Sequence, residues 1–141
     1  MSEADNKAII RRFIEEGLNR RNAALIDEIY SADYTGHDPE RPAPRNITDL
    51  KQGMAGLLGK VFPDAQYSIE RLIAEGDMVT WHWMFRATHQ GEIMGIPATG
   101  KQISFGGINL FRFENGKVVE DWVYRDTVGM MRQLGALPTP S

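Results

Sequence analysis

The chain is expected to fold as an α+β domain, in which one strongly bent antiparallel sheet forms a cone-shaped barrel covered on its inner face by N-terminal helices and closed by a short C-terminal helix. Three observations lead there. Apolar residues recur with a helical period up to Phe62 and with a period of two from Ala65 to Arg125, the signatures of amphipathic helices and half-buried strands. Helices precede strands instead of alternating with them, which is the order of an α+β architecture. The strands are joined by turn signals at Glu75-Gly76-Asp77 and Asn115-Gly116, so neighbours in sequence should pair as a meander. A cone has an open mouth, and cavities form there readily.

Residues 3–21 place Ile9, Ile10, Phe13, Ile14, Gly17 and Leu18 at helical spacing, with Arg11, Arg12, Glu15 and Glu16 between them, so the first element is an amphipathic helix. Asn22 is expected to cap a second, shorter helix carrying Leu25, Ile26, Ile29 and Tyr30. Thr48 and Asp49 should start a third that buries Leu50, Met54, Leu57, Leu58, Val61 and Phe62. Ser31 to Asn46, with Pro39, Pro42 and Pro44 and no periodicity, reads as a long loop of the kind that carries function. Strands are expected near 65–75, 78–89, 102–113 and 117–125. Asp126 can cap a last helix holding Met130, Met131 and Leu134, with Gly135 at its C′ position and a frayed tail at Pro138 and Pro140.

At 141 residues the chain suits one domain, 1–141, large enough to line a pocket. Its net charge of −3, with 16 Lys and Arg against 19 Asp and Glu, gives no basic stripe for nucleic acid. A small neutral or apolar ligand fits better. With no cysteine, thiolate nucleophiles and cysteine-ligated metal sites are excluded. The start Met-Ser-Glu-Ala-Asp-Asn puts acid where a signal peptide needs base, and no apolar run approaches the length of a membrane span, so a cytoplasmic protein without membrane contact is expected.

Two strands folded on Asn115-Gly116, a pair that favours a type I′ hairpin, should bring Asn109 and Asp121 near each other. A carboxylate and an amide projecting into an apolar cavity suffice for acid/base chemistry without a cofactor, because burial raises the carboxylate's pKa. The alternation of 117–125 leaves the inner face open, since Val119, Asp121, Val123, Arg125 and Val118, Glu120, Trp122, Tyr124 are each part apolar. An inward charge there is also a known guard against aggregation at a sheet edge. In the strand 78–89, Val79, Trp81, Trp83 and Phe85 share one face, either plain core or a stacking wall for a flat substrate; Thr80, His82, Met84 and Arg86 share the other, which suits a subunit interface. His37 beside Asp38 could act as a base at a pocket mouth, although Asp38-Pro39 is also an ordinary turn starter. His89, at a strand end, reads either as a site residue or as a structural hydrogen-bonder. The histidines at 37, 82 and 89 have no metal-ligand spacing, and phosphate loops and dinucleotide fingerprints are missing, so neither metal nor cofactor is expected.

The runs Thr88-His-Gln-Gly-Glu-Ile-Met-Gly-Ile-Pro-Ala-Thr-Gly-Lys101, Phe111-Arg-Phe-Glu-Asn-Gly-Lys117 and Asp126-Thr-Val-Gly-Met-Met-Arg-Gln-Leu-Gly135 together resemble the SnoaL-like polyketide cyclase family of the nuclear-transport-factor-2-like superfamily, over essentially the whole chain. The resemblance implies the cone-shaped barrel, an apolar pocket and a homodimer paired through the convex sheet face. It also implies a cofactor-free enzyme of cyclase, lyase, isomerase or hydrolase type acting on a hydrophobic, carbonyl-bearing molecule. In the cyclases a carboxylate assists an intramolecular aldol condensation. Their acid/base aspartate falls on Val123 of this chain and their pocket histidine on Asn109, which leaves Asp121, two residues earlier, as a displaced carboxylate. On that register Val119, Asp121 and Val123 face the pocket, while Trp122 and Tyr124 point to the convex face. The expected catalytic set is Asp121 and Asn109, with His37 and His89 as further candidates. Tyr34, Phe62, Trp81, Trp83, Phe85, Phe111 and Val123 are the expected substrate wall. A non-catalytic binding or dimerisation module of the same fold is the alternative.

Overall fold

The computed structural model describes residues 2–138; the expected tail at Pro140 lies outside them. Helix α1, Glu3–Arg12, opens with a capping box in which the Ser2 hydroxyl accepts from the Asp5 amide and the Asp5 carboxylate accepts from the Ser2 amide. It widens into a π turn over Phe13–Leu18 and buries Ile10, Phe13, Ile14 and Leu18. Helix α2, Ala24–Ile29, begins at Ala23 with no side-chain cap, so Asn22 is not the cap; its backbone carbonyl accepts from the Leu25 amide instead. Helix α3, Ile47–Gly56, is capped by Asn46, with Asp49 completing the box from the third helical position. It too ends in a π turn, Leu57–Val61.

The segment expected as a loop contains a fifth strand. Tyr30 does not continue α2 but starts strand β1, Tyr30–His37, which runs parallel to the strand formed by Lys117–Arg125. The sheet is therefore mixed, in the order β1-β5-β4-β3-β2, with β2 at Gln66–Glu75, β3 at Met78–Thr88, β4 at Gln102–Glu114 and β5 at Lys117–Arg125. The remaining pairings are the expected antiparallel meander. The β4–β5 turn has φ of 51° at Asn115 and 76° at Gly116, as a type I′ turn demands. Helix α4, Thr127–Gln133, is capped by Asp126, whose carboxylate accepts from the Gly129 amide at 2.8 Å, and it ends at Gly135 with φ of 82°. None of the helices among the described residues is long and apolar enough to cross a membrane.

The inner face of the sheet and the helices enclose one core, in which Phe62 packs edge-on to Phe85, and Tyr67 contacts Trp81, Trp83 and Phe85. The outer face follows from the same register. Ile73, Thr80, Leu110, Trp122 and His37 form one row across it, and Arg71, His82, Ile108 and Tyr124 the next. Ile73, Ile108 and Tyr124 are exposed there.

Candidate active site

Strand register decides which polar side chains meet inside. Gly36, Asp121, Phe111 and Val79 lie in one row across β1, β5, β4 and β3, and Val123, Asn109 and Trp81 in an adjacent one. Asn109 thus sits opposite Val123, one row away from Asp121. A bulge explains why alternation along β5 is ambiguous: Phe113 pairs with Val118 and Arg112 with Glu120, leaving Val119 as the extra residue. Val118 and not Val119 is consequently the buried residue of that pair, and Asp121 and Val123 face inward beyond it.

Asp121 is fully buried. The Tyr34 hydroxyl donates to its Oδ1 at 2.6 Å, and Arg45 Nη2 donates to its Oδ2 at 3.5 Å. Arg45 Nε in turn donates to the Tyr34 oxygen at 3.0 Å, which closes the three groups into a ring. Burial raises the Asp121 carboxyl above its ordinary pKa, and the opposing pull of Arg45 and of the Tyr34 hydrogen bond does not cancel it. The Tyr34 phenol is pushed up by burial and next by the charge of Asp121, so it remains a donor. Arg45 keeps its proton because Asp121 and Tyr34 outweigh its burial.

Gly36 makes this ring possible. A β-carbon at that position would run into the Tyr34 hydroxyl and lie 2.7 Å from Arg45 Nε, while the Gly36 backbone pairs with that of Arg45 through reciprocal bonds of 2.9 and 3.0 Å. Gly36→Ala is therefore expected to destabilise the fold by about 1–3 kcal/mol through overpacking, read as a lower urea midpoint. An unchanged midpoint would show that the ring has room to spare.

Next to this ring lies a cavity of about 350 Å³, lined by apolar groups such as Leu57, Leu58, Phe62, Trp81, Trp83 and Met130, a size suited to a small ligand. Asp121, Arg45, Asn109, Tyr67 and Val123 also line it. Trp83 lies across β4 because its partner there is Gly107, where a β-carbon would strike the indole ring. The indole N–H donates to Asn109 Oδ1 at 2.9 Å, which leaves the amide NH₂ of Asn109 as a donor toward the cavity. Burial pushes the Tyr67 phenol up to about 12, so it also stays protonated. At the mouth, Arg125 donates to Asp38 at 2.9 Å and to Glu40 at 3.1 Å, and Glu40 accepts from the Thr127 hydroxyl at 2.8 Å. The lining carboxylates Asp38, Glu40 and Asp121 are matched in number by the guanidinium groups of Arg41, Arg45 and Arg125.

Of the residues expected at the site, Asp121, Asn109, Phe62, Trp81, Trp83 and Val123 line the cavity, and Tyr34 stands behind Asp121. Phe85 and Phe111 point inward but are core residues outside the lining. His37 is not at the cavity: as the last residue of β1 it turns to the outer face, stacks on Trp122 at 5.3 Å and meets Glu120 at 2.7 Å. That contact, aided by Arg112, holds the Glu120 carboxyl below its usual pKa. His89 is buried outside the lining, with Nδ1 on Thr99. Arg45 and Tyr67 were not foreseen. The alternation Tyr34-Thr-Gly36 was the available sign that β1 existed, and Arg45 becomes visible only once β1 is there to pair with it. Among the described residues no three His, Asp or Glu side chains gather as a metal ion would require.

Comparison with known proteins agrees with this architecture. Residues 8–134 match the model of the SnoaL-like polyketide cyclase family. AcmA, an aklanonic acid methyl ester cyclase of Streptomyces galilaeus, is 26% identical over 134 residues, covering 91% of this chain and 89% of that protein. DnrD, an aklanonic acid methyl ester cyclase of Streptomyces peucetius, is 42% identical over a segment of 53 residues that spans 37% of each protein. Among solved structures, AclR of Streptomyces galilaeus, a candidate hydroxylase, superposes with a TM-score of 0.89 at 32% identity, covering 99% of this chain and 87% of that one. The chain belongs to the SnoaL-like polyketide cyclase family.

Proposed function

We propose that the protein is a cofactor-independent acid/base enzyme that removes a proton from carbon next to a carbonyl in a hydrophobic, uncharged small molecule, with Asp121 as the base. The observation that carries the reading is a buried carboxylate of raised pKa facing an apolar cavity. Oδ1 is engaged by Tyr34 at 2.6 Å, whereas Oδ2 has only the long Arg45 contact of 3.5 Å, so Oδ2 is the oxygen free to take a proton. Asn109, its carbonyl held by Trp83, offers its NH₂ to the substrate oxygen on which charge develops. The matched charges of the lining favour a neutral ligand.

In the cyclisation that the relatives' names suggest, the enolate would attack a second carbonyl of the same molecule, and the resulting alkoxide would recover a proton. The net change is an isomerisation that needs no cofactor. The test is to incubate the protein with aklanonic acid methyl ester in deuterated water and follow ring closure and deuterium uptake by NMR. Uptake at the carbon next to the carbonyl supports the reading; neither uptake nor closure would sink it.

A second reading has its own support: on the register that the family resemblance implies, Val123 takes the place of the cyclases' carboxylate, and the similar structure AclR is a candidate hydroxylase. Here the same deprotonated carbon would bond to dioxygen, and the hydroperoxide formed on proton uptake would lose water to leave a new carbonyl at that carbon; oxygen consumption during turnover separates the two. The exposed apolar residues Ile73, Ile108 and Tyr124 on the outer face support a homodimer, for which a monomer in sedimentation would be the contrary result.

A further inference from the structure

The segment between His89 and Lys101 is tied at its base and strained at its tip. Gln90 and Gly91 amides donate to the Val61 carbonyl at 2.9 and 3.2 Å, and Gly91 lies so close to the Lys60 carbonyl that no β-carbon could be added. At the other end, Lys101 accepts from the His89 amide at 2.9 Å and His89 from the Gly100 amide at 2.9 Å. His89 Nδ1 takes the Thr99 amide at 3.2 Å and the Thr99 hydroxyl at 2.9 Å. The imidazole proton then resides on Nε2, which is buried with no hydrogen-bond partner among the described residues.

At the tip, Ile93 and Ile96 exchange backbone hydrogen bonds of 3.0 and 2.8 Å around Met94 and Gly95. Both central residues have positive φ, 49° and 78°. Glycine or asparagine suits such a turn; a methionine there is strained. Met94 is also 55% exposed while lining the cavity. An apolar side chain kept in an unfavourable backbone state, half in water and half over a cavity, matches a residue waiting for a ligand.

We propose that Met94 is a specificity-determining contact, closing over the outward end of a flat apolar substrate, and that His89 is a positioning residue that holds the segment in place through Thr99. The proposal rests on the reading of the cavity as a substrate site but not on Asp121 being the base. Thioether side chains adapt well to aromatic surfaces, so the ligand end at Met94 is an aromatic ring.

Nile red, a neutral planar fluorophore bearing a carbonyl, is the probe. Met94→Asn, which suits positive φ but removes the apolar contact, is expected to weaken its binding about tenfold with thermal stability at or above that of the unaltered protein. Met94→Leu is expected to retain most of the affinity. His89→Asn, whose Oδ1 replaces Nδ1 as acceptor, should bind nearly normally, whereas His89→Leu should bind more weakly. Equal affinity in Met94→Asn, or no binding of Nile red by the unaltered protein, would overturn the proposal. His89→Asn binding as weakly as His89→Leu would remove the positioning role. Dye binding involves no proton transfer, so the comparison of the Met94 variants reads the same whether or not Asp121 acts as a base. A catalytic failure is thereby kept apart from a failure of the lid contact.

Discussion

Asp121→Asn is expected to reduce turnover of a carbonyl-bearing substrate by about 10²- to 10⁴-fold, the usual contribution of a positioned general base, while the fold persists. An asparagine Oδ1 can still accept from the Tyr34 hydroxyl, so the ring in which Tyr34, Asp121 and Arg45 meet keeps its neutral part. What is lost is the ability to take a proton, together with the charge that faces Arg45, so urea unfolding of the variant accompanies the turnover measurement. In the unaltered protein the same carboxylate sets the pH dependence. Its pKa is raised chiefly by burial, so the active, ionised form appears only as pH rises above the ordinary carboxylate value of 3.8. The acidic limb of kcat/KM should therefore lie above that value. Turnover that is unchanged in Asp121→Asn, or an acidic limb at or below the ordinary value, would remove Asp121 from the mechanism.

Arg45→Met should have the largest effect on stability, about 3–5 kcal/mol at neutral pH, as expected when one member of a buried ion pair is removed and the other stays charged. Arg45 has 14% of its side chain exposed and Asp121 1%, so solvent cannot replace the missing cation. The sign with pH follows from linkage. Without Arg45 the pKa of Asp121 in the folded state moves further up. A raised carboxyl pKa costs nothing below the unfolded value and costs progressively more as pH rises through the folded one. The variant should thus be nearly as stable as the unaltered protein in acid and lose ground toward neutrality, as urea unfolding at several pH values would reveal. A deficit that does not vary with pH would mean that Arg45 contributes packing alone. The acidic limb of activity should move to higher pH in the same variant.

Much of the fold was legible because each element announced itself locally. Ile10, Phe13 and Ile14 mark one helical face, and Trp81, Trp83 and Phe85 one strand face. Asn115-Gly116 and Asp126 are signals whose meaning depends on a few neighbouring atoms. Strand β1 was hidden because its partner, β5, is over 80 residues away and parallel to it, and nothing within Tyr30–His37 records that pairing. A proline-rich neighbourhood made the segment look like a loop. The inner face of β5 was hidden for another reason: the bulge at Val119 breaks the alternation on which such a reading depends.

Sequence alone determined the α+β class, the family, the hairpin that carries Asn109 and Asp121, and the aromatic face of β3. The class, the hairpin and the aromatic face follow from periodicity and turn chemistry, which act over a few residues, and the family from its resemblance in the runs 88–101, 111–117 and 126–135. Only the tertiary structure decided that Asp121 faces the cavity, that Tyr34 and Arg45 hold it, that His37 belongs to the outer face and that His89 anchors a loop. Those outcomes depend on a parallel pairing, a bulge and the space left free by Gly36. The parallel pairing joins residues over 80 positions apart, and the bulge and the room at Gly36 matter through what they bring together in space and not through order in sequence.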